Sequence, residues 1–353
     1  METPWSAGPE EDEESYNEGA ENEDSDRPVE KNPEAERLLN AAMKQYLGEF
    51  VQQVQSAREA GFFITGFSRG FAKLQFLNAK YYGRKYDKKS SYVFAPEIFF
   101  TPSHKNGVSY FEQMIESATN TSDAGIAGFR TSTNDGLLLL LLTGTGYPIG
   151  GGRSCSDFPV GKARELYAKF ANGGRVLDPC HGWGGRCVGA LIESVQEYVG
   201  VDPSAIANRA VLDIYGTFGE YQDTKVRVIN KPYEETTDGE VGTGFDFALT
   251  SPPYFDVEDY PGENQSHKRY SNYSLWVKKF YTPLIEQTMR RLKEGGCFAL
   301  QVGSQTYPLK NDALRIAHDL GYDAEVYETK TFTADQLHGT NEDTAECIVL
   351  IRK

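Results

Sequence analysis

No apolar run in this sequence approaches the roughly 18 residues of a membrane helix. The six leucines Leu137–Leu142 are far too short and read as a buried core segment. The N-terminus lacks the basic start of a signal peptide. Cys155, Cys180, Cys187, Cys297 and Cys347 contain no CxxC pair and make no even set, which fits free thiols in a reducing compartment. Cys180-His181, with His267 or His318, has no metal-site spacing. These absences predict a soluble, cytoplasmic protein with no metal and no membrane partner; they leave its oligomeric state open.

Basic charge is scarce as well, at 36 Lys and Arg against 51 Asp and Glu, a net of −15. Such a balance looks wrong for a nucleic-acid partner until it is located. Residues 1–40 hold 14 acids and 3 bases, a net of −11, and the rest of the chain is close to balance at −4. Residues 1–32 are acidic and nearly free of aliphatic side chains, so this tail is expected to be disordered. Residues 33–150 read as a smaller N-terminal domain, opening on an amphipathic helix from Pro33 to about Ala60. Within it, Arg69 to Lys89 carries seven basic residues and one acid, interleaved with Phe71, Phe76, Tyr81, Tyr82 and Tyr86. Cations for phosphates and rings for bases compose a nucleic-acid surface, with Lys80, Arg84 and Lys85 as candidate contacts. A basic helix face over a buried aromatic face has the same composition.

Residues 151–353 alternate strand and helix. Short apolar runs end at Asp178, Asp202, Ile229, Thr250 and Val302, and two final strands fall near 324–331 and 346–351. Helices fall between them, including a long one from Trp276 to Leu292 that Gly295-Gly296 is expected to cap. About seven strands in this alternation predict an α/β, doubly wound, Rossmann-like parallel sheet.

Two stretches carry chemistry. After the first strand, Asp178-Pro-Cys-His-Gly-Trp-Gly-Gly185 opens a helix, and Gly182 and Gly184 let backbone approach a ligand. The spacing is not GxGxxG, and the acid Asp178 sits poorly with a pyrophosphate but suits a ligand amine, as in the methionine part of S-adenosylmethionine. Asp202, ending the second strand, is placed to accept two ribose hydroxyls. A tight turn without a ligand would use the same glycines. The other stretch is Ser251-Pro252-Pro253-Tyr254, leaving the sheet where α/β proteins bind ligands. Neither proline has an N–H, so the turn offers acceptors without competing donors. Ser251 and a carbonyl could grip both N–H bonds of a ring amine and free its lone pair, while Tyr254 stacks on the base. An edge turn with an incidental Pro-Pro is the plainer alternative.

In their order along the chain, Asp178-Pro-Cys-His-Gly-Trp-Gly, Asp202 and Ser251-Pro-Pro-Tyr254 resemble the S-adenosylmethionine-dependent amino-methyltransferases. The closest likeness is to the DNA enzymes that methylate cytosine N4 or adenine N6, over about Asp157 to Lys353. The resemblance implies a methyltransferase sheet and direct transfer to a flipped DNA base. Phe158, Asp178, Cys180, Gly182, Gly184 and Asp202 would contact the cofactor, and Ser251, Pro252, Pro253 and Tyr254 the target base. Cys180 stands where the family has an aromatic residue, and no large recognition insert is present. Recognition then falls to residues 41–150, to a partner, or to the loop Phe255–Ser274, whose Lys268 and Arg269 could clamp nucleic acid. Cys180 is not expected to act as a covalent nucleophile, because it lies in the cofactor loop rather than beside the base. Methylation of RNA or of a protein amide, or a non-catalytic nucleic-acid-binding role, remain the alternatives.

Overall fold

Val176-Leu177, Tyr198–Val201 and Phe247–Leu249 are buried throughout, as expected of strands covered on both faces. In the computed structural model they form the centre of a seven-stranded sheet. The structure describes residues 69–86, 93–95, 157–257, 260, 264–303, 306–329 and 346–353, with 33–35, 37–38 and 41–42. The expected disordered tail, the leucine run, Cys155 and most of the predicted N-terminal domain lie outside these residues.

The strands are β1 (Arg175–Asp178), β2 (Glu197–Asp202), β3 (Lys225–Asn230), β4 (Phe245–Thr250), β5 (Leu292–Val302), β6 (Asp323–Thr329) and β7 (Cys347–Arg352). Their order is β3-β2-β1-β4-β5-β7-β6. All pairs are parallel except those made by β7, which runs antiparallel to both β5 and β6. The sheet is therefore mixed rather than wholly parallel. From Phe247 on, successive residues of β4 point to opposite layers, Phe247 and Leu249 into one core and Ala248 into the other; Phe245, before the ladder irregularity, packs in the second.

The first layer holds helices α1 (Arg69–Tyr82), α2 (Val160–Leu166), α3 (Gly185–Ile192) and α4 (Ala205–Phe218). The second holds α5 (Thr282–Arg291) and α6 (Leu309–Asp319). Ser204 starts α4 by accepting the Ala207 N–H at 3.3 Å. Asp312 does not cap α6, which begins three residues earlier; it takes a hydrogen bond from the Tyr273 hydroxyl at 2.6 Å. Nor do Gly295 and Gly296 cap a helix. The helix ends at Arg291, and both glycines lie within β5, where Phe245 pairs with Leu292 but Phe247 with Cys297, an irregularity in the ladder. Among the described residues no helix is long and apolar enough to cross a membrane.

Helix α1 is the larger departure from expectation. Phe76 stacks on Phe218 of α4, ring centroids 4.4 Å apart, and Ala72, Leu77 and Ala79 join the same buried core. Its cations serve this docking. Arg69 pairs with Asp213 at 3.0 Å, Lys73 with Glu220 at 3.3 Å, and Lys80 donates to Ser194 Oγ at 2.6 Å. Burial pulls the Lys80 pKa down. Lys80 thus makes an intrachain contact, and α1 shares the core of the 151–353 region. The aromatic–basic alternation is a helix with one buried face and one ion-paired rim.

Candidate functional site

The chain crosses from β3 to β4 past β1, so the carboxyl ends of β1 and β4 form the switch point at which α/β sheets bind ligands. A cavity of about 390 Å³ opens beside it, within the range of small-molecule sites. Its walls come from the loops after β1, β2, β3 and β4, from Tyr260 and from the segment 264–269.

The β1 loop turns on two glycines with different duties. Gly182 has φ +56 and donates its N–H to Asp202 Oδ2 at 3.1 Å. Gly184 has φ +104, and a Cβ there would come within 2.5 Å of Ile214 Cδ1 of α4. Gly182 thus shapes the cavity wall, while Gly184 permits helix packing. Asp202 also accepts the Ser204 N–H at 2.9 Å, so both its oxygens are oriented, and it lines the cavity. Phe158, Cys180 and Gly182 line it too; Asp178 and Gly184 do not.

Asp178 lies beneath the floor, fully buried. Thr250 Oγ1 donates to its Oδ1 at 2.9 Å, while Arg186 Nε and the Tyr198 hydroxyl donate to Oδ2 at 2.8 and 2.7 Å. Both of its oxygens are therefore occupied by the chain itself. Cys180 is half-buried; desolvation and the nearby Asp202, Asp178 and Glu234 push its thiol pKa well up, which disfavours a thiolate nucleophile.

The far wall carries residues that sequence reasoning did not single out. Tyr233 is buried with its hydroxyl near Thr288 Oγ1 at 3.1 Å, and the Arg291 guanidinium lies 4.9 Å from its ring centroid. Glu234 follows, its side chain 4% exposed. Desolvation raises its pKa although Arg269, 2.9 Å away, opposes the shift. Arg269 also pairs with Glu235, tying the segment 264–270 to the loop after β3. Trp183, between the glycines, completes the cavity with Tyr260, ring centroids 6.4 Å apart. A carboxylate three or four residues past the third strand was the available signal for Glu234; Trp183 carried none beyond its place.

The predicted loop Phe255–Ser274 contains one helical turn, Ser266–Arg269, and runs into a second, Tyr273–Trp276. Trp276 Nε1 donates to Ser266 Oγ at 2.9 Å. Gln265 bonds both the N–H and the carbonyl of Tyr260, at 2.8 and 2.6 Å.

The turn Ser251–Tyr254 sits at the end of β4. Of its residues, Pro253 lines the cavity. Ser251 Oγ and the Tyr254 hydroxyl are 3.3 Å apart. Phe255 follows with φ +61, a left-handed backbone that bulky residues rarely adopt. Its buried ring meets Tyr273, Trp276 and Tyr307 edge-on at 5.8, 5.8 and 5.2 Å. Arg84, Lys85 and Lys268 lie outside the cavity wall. Among the described residues no cluster of His, Cys, Asp and Glu could hold a metal ion.

No protein-family model matches the sequence, and a search of curated proteins finds no match. Solved structures do resemble the chain. One is an S-adenosylmethionine-dependent O-methyltransferase from Thermotoga maritima, 15% identical over 56% of this chain and 67% of that one, TM-score 0.38. Another is an rRNA methylase from Streptococcus thermophilus, 15% identical over 56% and 97%, TM-score 0.37. A Listeria monocytogenes protein described as a class I S-adenosylmethionine-dependent methyltransferase is 14% identical over 91% and 88%, TM-score 0.42. At these scores none adds to what the strand order establishes.

Proposed function

We propose that this protein transfers a methyl group from S-adenosylmethionine to an exocyclic ring amine of a DNA base, cytosine N4 or adenine N6. The observation that supports this reading is that Pro253, from the Ser251–Tyr254 turn, lies in the wall of the same cavity that Gly182 and Asp202 line. A cofactor site and an amine-gripping turn would then face each other.

The lining fits the cofactor. Phe158, Trp183, Ile206, Tyr233 and Phe280 give apolar surface for an adenosine and keep water out, and Asp202 offers an oriented carboxylate to ribose hydroxyls. In this reading the base would lie beside Tyr233 and Glu234, the ribose at Asp202, the amino-acid end toward Arg186 and the reactive centre toward Pro253, all of which line the cavity. When bound, S-adenosylmethionine supplies an electrophilic methyl group on a sulfonium. The Ser251 oxygen and the Pro252 carbonyl would accept the two N–H bonds of the target amine and draw its nitrogen toward tetrahedral geometry. Tyr254 would hold the base by stacking.

Calorimetry with S-adenosylmethionine tests the cofactor, and the absence of binding by the wild-type chain ends the methyltransferase reading. Nucleoside mass spectrometry on DNA and RNA from cells expressing the chain tests the substrate. Methylated cytosine or adenine in DNA is expected; methylation found only in RNA would move the substrate to RNA. Ser251→Ala should lower turnover and leave cofactor affinity unchanged, because the grip strengthens as the nitrogen loses planarity. Tyr254→Ala should cost about 1–3 kcal/mol of base binding, while Tyr254→Phe keeps the ring face. Wild-type transfer by all three variants would reduce the Pro-Pro turn to a turn.

A further inference from the structure

Arg186 lies in the first turn of α3 and lines the cavity, yet its side chain is only 5% exposed. Nε donates to Asp178 Oδ2 at 2.8 Å and Nη2 to the Cys180 carbonyl, and the Phe158 ring centroid lies 5.1 Å from the guanidinium carbon. Nη1 makes no hydrogen bond among the described residues. A guanidinium has five N–H donors, and those the chain leaves unused are available to a ligand. The chain therefore holds a cation rigidly at the cavity wall and leaves one edge of its fork unspent.

We infer that Arg186 is the carboxylate receptor of this cavity, its Nη1 donating to the α-carboxylate at the amino-acid end of the bound cofactor. This rests on the S-adenosylmethionine reading and names the residue that recognises one end of the molecule. Asp178 was the expected contact there, through the cofactor's ammonium, but it does not line the cavity and its oxygens are shared among Thr250, Arg186 and Tyr198. What reaches the wall in its place is the cation that Asp178 holds. A singly charged carboxylate suits the site better than a phosphate, because Asp202 and Glu234 line the same cavity and would repel a more highly charged anion. Two fixed hydrogen bonds and the Phe158 ring pre-organise the fork, and exclusion of water strengthens a charge-assisted bond.

The test compares S-adenosylmethionine with its decarboxylated analogue, which differs only in that carboxylate, by calorimetry on the full chain. The wild type should bind S-adenosylmethionine about 10- to 100-fold more tightly, the worth of one charge-assisted hydrogen bond. Arg186→Gln should bring the two affinities together by weakening S-adenosylmethionine alone. Because Arg186→Gln leaves Asp178 buried without its cation, the pair Asp178→Asn with Arg186→Gln is measured beside it. Retained affinity for the decarboxylated compound then shows that the fold survives. A wild-type ratio near one, or variants that keep the wild-type ratio or weaken both compounds alike, would overturn the inference while leaving the cofactor reading standing. Binding of neither compound by the wild type would end both.

Discussion

The Thr250 hydroxyl donates to Asp178 Oδ1 at 2.9 Å and accepts the Cys180 N–H at 3.1 Å, joining the end of β4 to the loop after β1. One side chain thus couples the two stretches that carry the proposed chemistry. Thr250 is fully buried, so removing its hydroxyl leaves Cys180 without that acceptor and Asp178 with one donor fewer. Thr250→Val should lower stability by about 1–3 kcal/mol in urea denaturation, while Thr250→Ser stays near wild type. Equal stability of the valine and serine variants would show the link to be idle.

Gly184→Ala should destabilise by about 1–3 kcal/mol, because the new Cβ meets Ile214 and φ +104 strains any side chain. In a double-mutant cycle with Ile214→Ala, itself destabilising because Ile214 is fully buried, the coupling energy should report the steric part. Thermal melts of both single variants and the double variant separate the clash from the backbone cost.

Asp202→Ala should weaken S-adenosylmethionine binding by about 1–3 kcal/mol, through lost hydrogen bonds to the ribose. It also frees the Gly182 and Ser204 N–H groups. Asp202→Asn, which keeps an acceptor oxygen, should retain more affinity than Asp202→Ala in the same titration.

Glu234 supplies a pH dependence. Its pKa is raised in the folded state, chiefly by desolvation, so the folded protein holds that proton more tightly than the unfolded chain. The linkage runs opposite to that of a salt-bridged acid: stability from this group is present at low pH and falls as pH rises through the raised pKa. The window runs upward from the ordinary value of 4.5. Glu234→Gln should therefore gain relative to wild type as pH rises from about 4.5 in denaturation experiments. A relative loss over that window would mean that the Arg269 pair outweighs burial.

Neutralising Lys80 should act on stability rather than on nucleic acid. Lys80→Met removes the donor to Ser194 Oγ and loosens α1, while the salt dependence of DNA binding should keep its slope. A slope reduced by about 1 would identify Lys80 as a phosphate contact.

The order of strands and loops was legible because β1, β2 and β4 are buried on both sides and announce themselves as apolar runs ending in Asp178, Asp202 and Thr250. The cavity's place followed, since it depends on where those strands stop. Pairings made at a distance were not legible. Nothing local to Lys73 or Lys80 shows that the turns just after α4 and α3 will supply their partners, and composition alone reads both as free. Asp178 looked available because Tyr198 and Arg186 become its neighbours only on folding. Gly295-Gly296 fits a helix cap or a strand irregularity equally well until β4 lies beside it. The antiparallel insertion of β7 between β5 and β6 has no signature in either strand's residues.

Phe255 gives the proposed substrate turn an unusual dependence. Its left-handed backbone holds because three rings, from the helix Tyr273–Trp276 and from Tyr307 beyond β5, enclose its side chain. The curvature of residues 251–254 is therefore set from outside the turn, by positions as far downstream as Tyr307. A mutational library confined to 251–254 would explore new side chains on an unchanged bend. Reshaping the bend to admit a different amine requires varying Phe255 together with Tyr273 and Tyr307, and these positions should change in concert among descendants selected for a new substrate.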